Sequence, residues 1–365
     1  MERRKSALEN MEINKAFWRG RKVFITGHTG FKGGWLALWL SNMGAQVTGY
    51  SLEAPTEPCF FKAVGLESRV KSFIGDIRDS DKLQNAMAMA TPEIVIHMAS
   101  QPIVRRSYKE PEETFDVNVM GAVAVFESVR ATPGIRALLV VTSDKCYENR
   151  EWVYGYRETD PLGGKDPYSA SKACQELVTA SYRASFFANG PVVASGRAGN
   201  VIGGGDWAED RLAPDMARAF SENRPVVIRN PKALRPWQHV LEPLSGYILL
   251  MERLVNDGGE FARGFNFGPA DGEARPVEWM ADRMAALWGG GARWEHAGGD
   301  DPPEAGLLKL DSALARSMLG WRGRLGAEGA VQWAVEWYKK YYQGCNMMEF
   351  TLRQIEAYES LGGGR

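Results

Sequence analysis

Tyr168-Ser169-Ala170-Ser171-Lys172 puts a phenol and an ammonium four residues apart, on one face of a helix. A phenol titrates near 10, so a tyrosine acting as a base near pH 7 needs about 3 pKa units, roughly 4 kcal/mol, of help to its anion. Lys172 is the expected source of that help, and any further cation beside the ring would add to it. Tyr and Lys at this spacing also occur on solvated helices, so the pair decides little alone. Ser143 stands 25 residues upstream of Tyr168, directly after the apolar run 138–142. It completes a hydroxyl, phenol and ammonium set suited to taking a proton from an alcohol while hydride leaves the same carbon. Asp144 and Lys145 follow it. A protonated carboxyl there can act as general acid, and an amine can take a proton once burial or a neighbouring cation lowers its pKa. As a surface ion pair at a strand end the two would be worth little.

A second constellation is the loop Gly27-His28-Thr29-Gly30-Phe31-Lys32-Gly33. It follows the β-branched run 22–26 and opens a helical stretch over 35–43 that ends at Gly44. A bare three-glycine pattern is often only a tight turn. Here a strand precedes it and a helix follows, so the backbone can approach a pyrophosphate at a helix N-terminus. Gly27, His28, Thr29, Gly30, Phe31 and Gly33 are therefore the expected first contacts of a dinucleotide.

These residues need a frame. Short strand patterns at 22–26, 46–50, 73–75, 93–97 and 138–142 alternate with helical ones such as 114–130, the rhythm of an α/β fold with a doubly wound parallel sheet. After Gly203 the chain turns Pro- and Trp-rich. The expected division is a dinucleotide-binding domain over 1–200, with 240–270 returning to it, and a smaller substrate lobe over 201–239 and 271–365. Apolar stripes on helices around 116–129 and 175–186 can pack on the sheet or on a second copy of the chain.

Composition narrows the partners. Forty-four Lys and Arg against 45 Asp and Glu give a net charge of −1, so no basic field collects nucleic acid, and no apolar run approaches the roughly 18 residues of a membrane span. Residues 1–20 show no hydrophobic signal core, which points to the cytoplasm. The four cysteines, Cys59, Cys146, Cys174 and Cys345, are expected as free thiols, and neither they nor the four histidines have metal-ligand spacing.

The glycine spacing, with Ser143, Tyr168 and Lys172 in that order, resembles the extended short-chain dehydrogenase/reductase family. Ser143-Asp144-Lys145 stands where the sugar-nucleotide 4,6-dehydratases of that family carry hydroxyl, Asp and Glu, and Lys in third place is similar to the CDP-glucose branch. Phe17-Trp18-Arg19-Gly20, residues 30–40, GRAGNVIGGGDW (196–207), RPWQHV (235–240) and Glu336-Trp337-Tyr338 agree with it. The resemblance implies a Rossmann fold, NAD as cofactor and CDP-glucose as substrate. It gives Ser143, Asp144, Lys145, Tyr168 and Lys172 catalytic roles. It adds Ser51, Asp76, Ile77, Met98 and Ala99 to the cofactor contacts and gives Asn200, Arg211 and Arg235 to the substrate. The family also implies a homodimer through the two striped helices. Ser51 departs from the acidic residue usual at the end of the second strand, and no Arg beside it offers a partner for a 2′-phosphate, which favours NAD over NADP. His97 is expected to be structural. Two other readings remain open: a sugar-nucleotide 4-epimerase, which has no use for Asp144 and Lys145, and a catalytically idle NAD-binding regulator.

Overall fold

The computed structural model describes residues 12–296 and 307–361; parts of the expected amino-terminal and lobe segments lie outside these. Seven parallel strands form the main sheet in the order β11-β6-β5-β4-β1-β2-β3. They are β1 (Lys22–Thr26), β2 (Gln46–Ser51), β3 (Lys71–Ile74), β4 (Ile94–His97), β5 (Ala137–Val141), β6 (Val192–Arg197) and β11 (Gly264–Asn266). Every residue of β4 and β5 is buried, as a central strand covered on both faces requires, and their near-continuous apolar sequence is the cause. The order reverses between β1 and β4, which opens a crevice at the carboxyl ends of these strands.

Two helical layers cover the sheet. On one face lie α1 (Phe31–Asn42) and α6 (Leu241–Asn256), with residues of the carboxy-terminal helices α8 (Ala327–Tyr342) and α9 (Met347–Ser360) in the same core. On the other lie α2 (Ser80–Ala90), α3 (Gly121–Ala131) and α4 (Pro167–Ser185), which contribute Leu83, Phe126 and Tyr182. α1 is apolar on nearly every side because the sheet and the carboxy-terminal helices enclose it. A third cluster joins α5 (Leu212–Ser221), β8 (Val226–Ile228), α7 (Val277–Trp288) and α8 into a smaller lobe. Strand β11 pairs with β6, so the chain rejoins the main sheet after part of that lobe.

Two details differ from expectation. The third strand begins and ends earlier, at Lys71–Ile74. The single helix expected over 114–130 is broken by a wide π turn at Asp116–Met120 between the short helix Pro111–Phe115 and α3. All four cysteines are free thiols, and no helix among the described residues is long and apolar enough to cross a membrane.

Helix α6 carries a buried carboxylate that ties down the start of the described chain. Glu252 accepts the Trp18 indole N–H at 2.7 Å and the Asn14 N–H at 3.0 Å, and burial pushes its pKa up to about 7. A raised carboxyl pKa means that its contribution to stability is present below the unfolded value near 4.5 and is lost as pH rises through about 7. Glu252→Gln keeps an acceptor without the charge. It should raise the melting temperature at pH 8, by about 1–3 kcal/mol in stability, and change it little at pH 5. Calorimetric melts at the two pH values check this.

Candidate active site

Ser143 stands two residues beyond β5 and caps a single turn, Asp144–Cys146: its hydroxyl accepts the Lys145 N–H at 3.2 Å and donates to Asp144 Oδ1 at 2.9 Å. Asp144 is 3% exposed and sits against the chain just beyond β6. A Cβ on Gly199 would lie 1.9 Å from Asp144 Oδ2, so this seat requires glycine. Lys145, next in the turn, is partly exposed.

Helix α4 delivers the phenol and the ammonium. Asp166 accepts the Ser169 N–H at 2.9 Å and Pro167 takes the first helical position, so the helix starts one residue before Tyr168. Tyr168 is 8% exposed and Lys172 3%. Burial pushes the phenol up to about 12, and the groups that pull it back are chiefly the Ser143 hydroxyl and the Arg211 guanidinium, rather than the Lys172 ammonium expected from the spacing. Burial, and then the charge of Lys32, pull Lys172 down to about 7. The Lys172 ammonium donates to Gln175 Oε1 at 3.0 Å.

Several residues that build this site have no motif to announce them. Lys32 Nζ donates to the Tyr247 hydroxyl at 3.3 Å, and Tyr247 reaches it from α6 across Gly196, where a Cβ would stand 2.8 Å from the ring. Burial, then Arg211, lower Lys32 to about 8, while Asp144 raises it. The π turn aims Asn118 at α4. Its amide donates to Ser171 Oγ at 2.9 Å and to the Gln101 carbonyl at 3.1 Å, and its Oδ1 accepts the Gln101 N–H. One helical turn beyond Lys172, Glu176 forms a fully buried pair with Arg197 at 2.8 Å and accepts from Thr142 and Ser195. Helix α4 is thus pinned to the ends of β5 and β6 directly beneath Ser143.

The glycine loop lies at the β1/β4 switch point. Gly27 adopts φ +84°, and a Cβ there would meet the Ala99 nitrogen at 2.8 Å; a Cβ on Gly33 would stand 2.1 Å from the Gly27 carbonyl oxygen. At Gly30, by contrast, a Cβ would have only that carbonyl oxygen within 4 Å, at 3.4 Å, and no side chain caps α1. An uncapped helix start beside a loop face kept clear by glycine is the donor set a pyrophosphate needs, so the residues present fit a dinucleotide. Thr26 Oγ1 accepts the N–H groups of Met98 and Ala99 and shares a hydrogen with His97 Nδ1 at 2.8 Å. His97 is buried, and burial pulls it down to about 3.

Among the other expected cofactor contacts, several side chains are engaged within the protein. His28 turns its side chain inward: the ring lies over Gly49, where a Cβ would be 2.1 Å away, and its Nε2 bonds Ser72 Oγ at 2.6 Å. Only its backbone is left for a ligand. Ile77 packs its side chain against Gly121 of α3 within the core. Asp76 is gripped by Arg78 through both carboxylate oxygens, at 2.6 and 3.0 Å, which holds its carboxyl below the usual range. Ser51 shares its hydroxyl hydrogen with Thr29 Oγ1 at 2.8 Å. Phe31 points toward the lobe, its ring tip 3.1 Å from where a Gly203 Cβ would stand.

Of the substrate candidates, Asn200 adopts φ +38°, and its carbonyl accepts the Gln238 N–H at 3.3 Å. Arg211 is not a solvated helix charge. It precedes α5, pairs with Asp206 at 2.8 Å, and its charge reaches Tyr168. Arg235 lies on the short strand β9 (Leu234–Pro236), paired with β12 (Ala274–Pro276), and not at a helix start.

The model of the NAD dependent epimerase/dehydratase family matches residues 23–264. The chain is 53% identical to the CDP-glucose 4,6-dehydratase of Salmonella typhimurium over 95% of its own length and 99% of that protein's. It is 24% identical to a dTDP-glucose 4,6-dehydratase of Xanthomonas campestris, over 91% of this chain and 98% of the other. Among solved structures, a UDP-glucose-4-epimerase from Stenotrophomonas maltophila with bound NAD superimposes with a TM-score of 0.78 at 20% identity, over 89% of this chain and all of that one. The dTDP-glucose 4,6-dehydratase of Bacillus anthracis with NAD gives 0.72 at 19% identity, over 90% and all of the respective chains. The match over most of the sheet, and a relative this similar along nearly its whole length, place the chain in the NAD dependent epimerase/dehydratase family.

Proposed function

We propose that the protein dehydrates CDP-D-glucose to its 4-keto-6-deoxy form, with NAD regenerated in each turnover. The observation that carries this is the buried Asp144, hydrogen-bonded to Ser143 at the same strand end that faces Tyr168 and Lys172. An epimerase needs the hydroxyl, phenol and ammonium only. The choice of cytidine rests on the 53% identical relative.

NAD, when bound, accepts hydride from carbon 4 of the sugar and returns it to carbon 6. The glycine loop, Thr29, Ser51, Met98 and Ala99 would hold it, with Tyr168 and Lys172 at its reactive end. Tyr168 takes the proton from the carbon 4 hydroxyl. The resulting ketone acidifies the hydrogen at carbon 5. Asp144 gives a proton to the departing carbon 6 hydroxyl, which leaves as water, while Lys145 removes the proton from carbon 5 and returns it there once hydride has reached carbon 6; the proton taken by Tyr168 passes through solvent to Asp144 before the next turnover. Ser143 orients both Asp144 and the phenol, while Asn200, Arg211 and Arg235 bind the substrate around its diphosphate. Incubation with CDP-glucose, dTDP-glucose and GDP-mannose, followed by the alkaline absorbance of a 4-keto-6-deoxy product, tests the reading. Product from CDP-glucose is expected; product that keeps its 6-hydroxyl would favour the epimerase.

No basic residue stands between Ser51 and Glu57, so NAD should bind more tightly than NADP in a direct titration, and the reverse order would refute that preference. The reading extends to a cytoplasmic homodimer with a dinucleotide-binding domain over 1–200 and 240–270 and a substrate lobe over the remainder. Phe115, Met120, Leu177 and Phe186 are 37–59% exposed on or beside the helices expected to pair, which supports an apolar face left for a second copy beside the side chains that pack in the core. Light scattering at micromolar concentration should give twice the chain mass; a monomer would contradict the dimer.

A further inference from the structure

The two oxygens of Asp144 are held by different means. Ser143 Oγ bonds Oδ1 at 2.9 Å, whereas Oδ2 lies against the bare main chain of Gly199, two residues beyond β6. Asn200, next in that turn, adopts φ +38°, a left-handed conformation that a residue with a side chain keeps only where its surroundings enforce it. A parallel pairing of only two residues per strand follows, β7 (Val201–Ile202) with β10 (Gln238–His239). Gln238 adds to this short pairing. Its side-chain amide donates to the Gly199 carbonyl and to the Phe267 carbonyl, each at 3.0 Å, while its main-chain N–H donates to the Asn200 carbonyl at 3.3 Å. Phe267 follows β11, and its N–H donates to the Arg197 carbonyl at the end of β6. The amide therefore ties the turn behind Asp144 to the edge of the main sheet.

We propose that Gln238 is a positioning residue for the elimination step: it holds the Gly199 turn against Asp144, so that the carboxyl keeps its direction toward the carbon 6 hydroxyl. This rests on the reading that Asp144 is the acid. Gln238 is 1% exposed, and its Oε1 is buried with no hydrogen-bond partner among the described residues. Both donors of the amide are engaged by carbonyls while its acceptor goes unmatched, an arrangement that buried amides seldom adopt. An apolar side chain of the same length would avoid the unmatched oxygen, but it would take that donor from the Gly199 and Phe267 carbonyls. With Ser143 on one carboxylate oxygen and the turn on the other, a shift of the turn frees rotation about the Cβ–Cγ bond of Asp144, and the acid loses its aim. The oxidation machinery does not share this support. Tyr168 and Lys172 ride on α4, which is anchored by Asp166, Asn118 and Glu176. A clamp that served the fold alone would weaken both steps together.

A single turnover of CDP-glucose on the NAD-loaded full-length protein, followed by stopped-flow absorbance of the reduced cofactor, reads oxidation as its rise and the steps through hydride return as its decay. In Gln238→Met the rise should stay within about twofold of the parent and the decay should slow about 10- to 100-fold, so that reduced cofactor builds up on the enzyme. Gln238→Asn keeps the amide on a shorter stem. It should show the same split at about threefold to tenfold, and it carries the test if the methionine variant does not fold. A rise and decay that slow together, or a decay at the parent rate in a folded variant, overturns the proposal. Asp144→Asn, run alongside, separates the two readings. Reduced cofactor that accumulates in Asp144→Asn but not in Gln238→Met removes the role of Gln238 alone, whereas a normal decay in Asp144→Asn removes the acid and this role with it. If only dTDP-glucose or GDP-mannose is dehydrated, the same comparison with that sugar decides for Gln238, and the choice of cytidine falls.

Discussion

Tyr168→Phe and Asp144→Asn should stop the reaction at different points. Phenylalanine keeps the buried ring, which is 8% exposed, and removes only the group that accepts the carbon 4 proton. Oxidation should fail, and mixing with CDP-glucose should leave the near-ultraviolet absorbance of the oxidised cofactor unchanged. Asparagine at 144 keeps the acceptor for the Ser143 hydroxyl and removes the acid for the carbon 6 hydroxyl, at a cost of about 10²- to 10⁴-fold in elimination. Oxidation would then outrun elimination, and reduced cofactor should build up on the enzyme only in this variant. Stopped-flow absorbance reads both. Identical behaviour of the two variants, or normal turnover in Asp144→Asn, would make Asp144 an ordinary strand-end charge.

Gly199→Ala should reproduce the Asp144→Asn phenotype without replacing any reacting group. The added methyl would stand 1.9 Å from Asp144 Oδ2 and 2.3 Å from its Cγ, so one of the two must move. The carboxylate is the far end of a side chain with two rotatable bonds, whereas the backbone at 199 is flanked by Ala198, whose carbonyl accepts the Asp144 N–H at 3.4 Å. The carboxylate therefore yields. Elimination should drop by about 10²-fold or more, with reduced cofactor again accumulating, because a displacement of about 1 Å already costs that much. A variant that folds and turns over at the parent rate would show that the seat of Asp144 has no bearing on the reaction.

How much of this site can be read from the chain follows from how local each cause is. The glycine loop is legible because its requirements are local: a buried β-branched strand, a positive φ at Gly27, and close contact between Gly33 and the Gly27 carbonyl. Ser143, Tyr168 and Lys172 are legible because strand end and helix face fix their directions. His28 is legible in position but not in direction, since the hole that accepts its ring is made by Gly49 on the neighbouring strand. Lys32 stands in plain view inside the glycine loop, yet its place in the site depends on Tyr247, 215 residues away. Asn118 has no local signal. The π turn that aims it answers to partners at Gln101 and Ser171 and leaves no mark on the apolar periodicity of 114–130. Arg78 gives no sign in the sequence that it will hold Asp76, yet from two residues on it grips both carboxylate oxygens.

The account's central claim is that hydrogen leaves carbon 4 and arrives at carbon 6 within one active site. Its most direct test is conversion of CDP-glucose carrying deuterium at carbon 4, with the product examined by proton NMR and mass spectrometry. The account predicts deuterium in the new methyl group at carbon 6 and no free reduced cofactor. Deuterium retained at carbon 4 of a product that keeps its 6-hydroxyl, or found in released reduced cofactor, would contradict it.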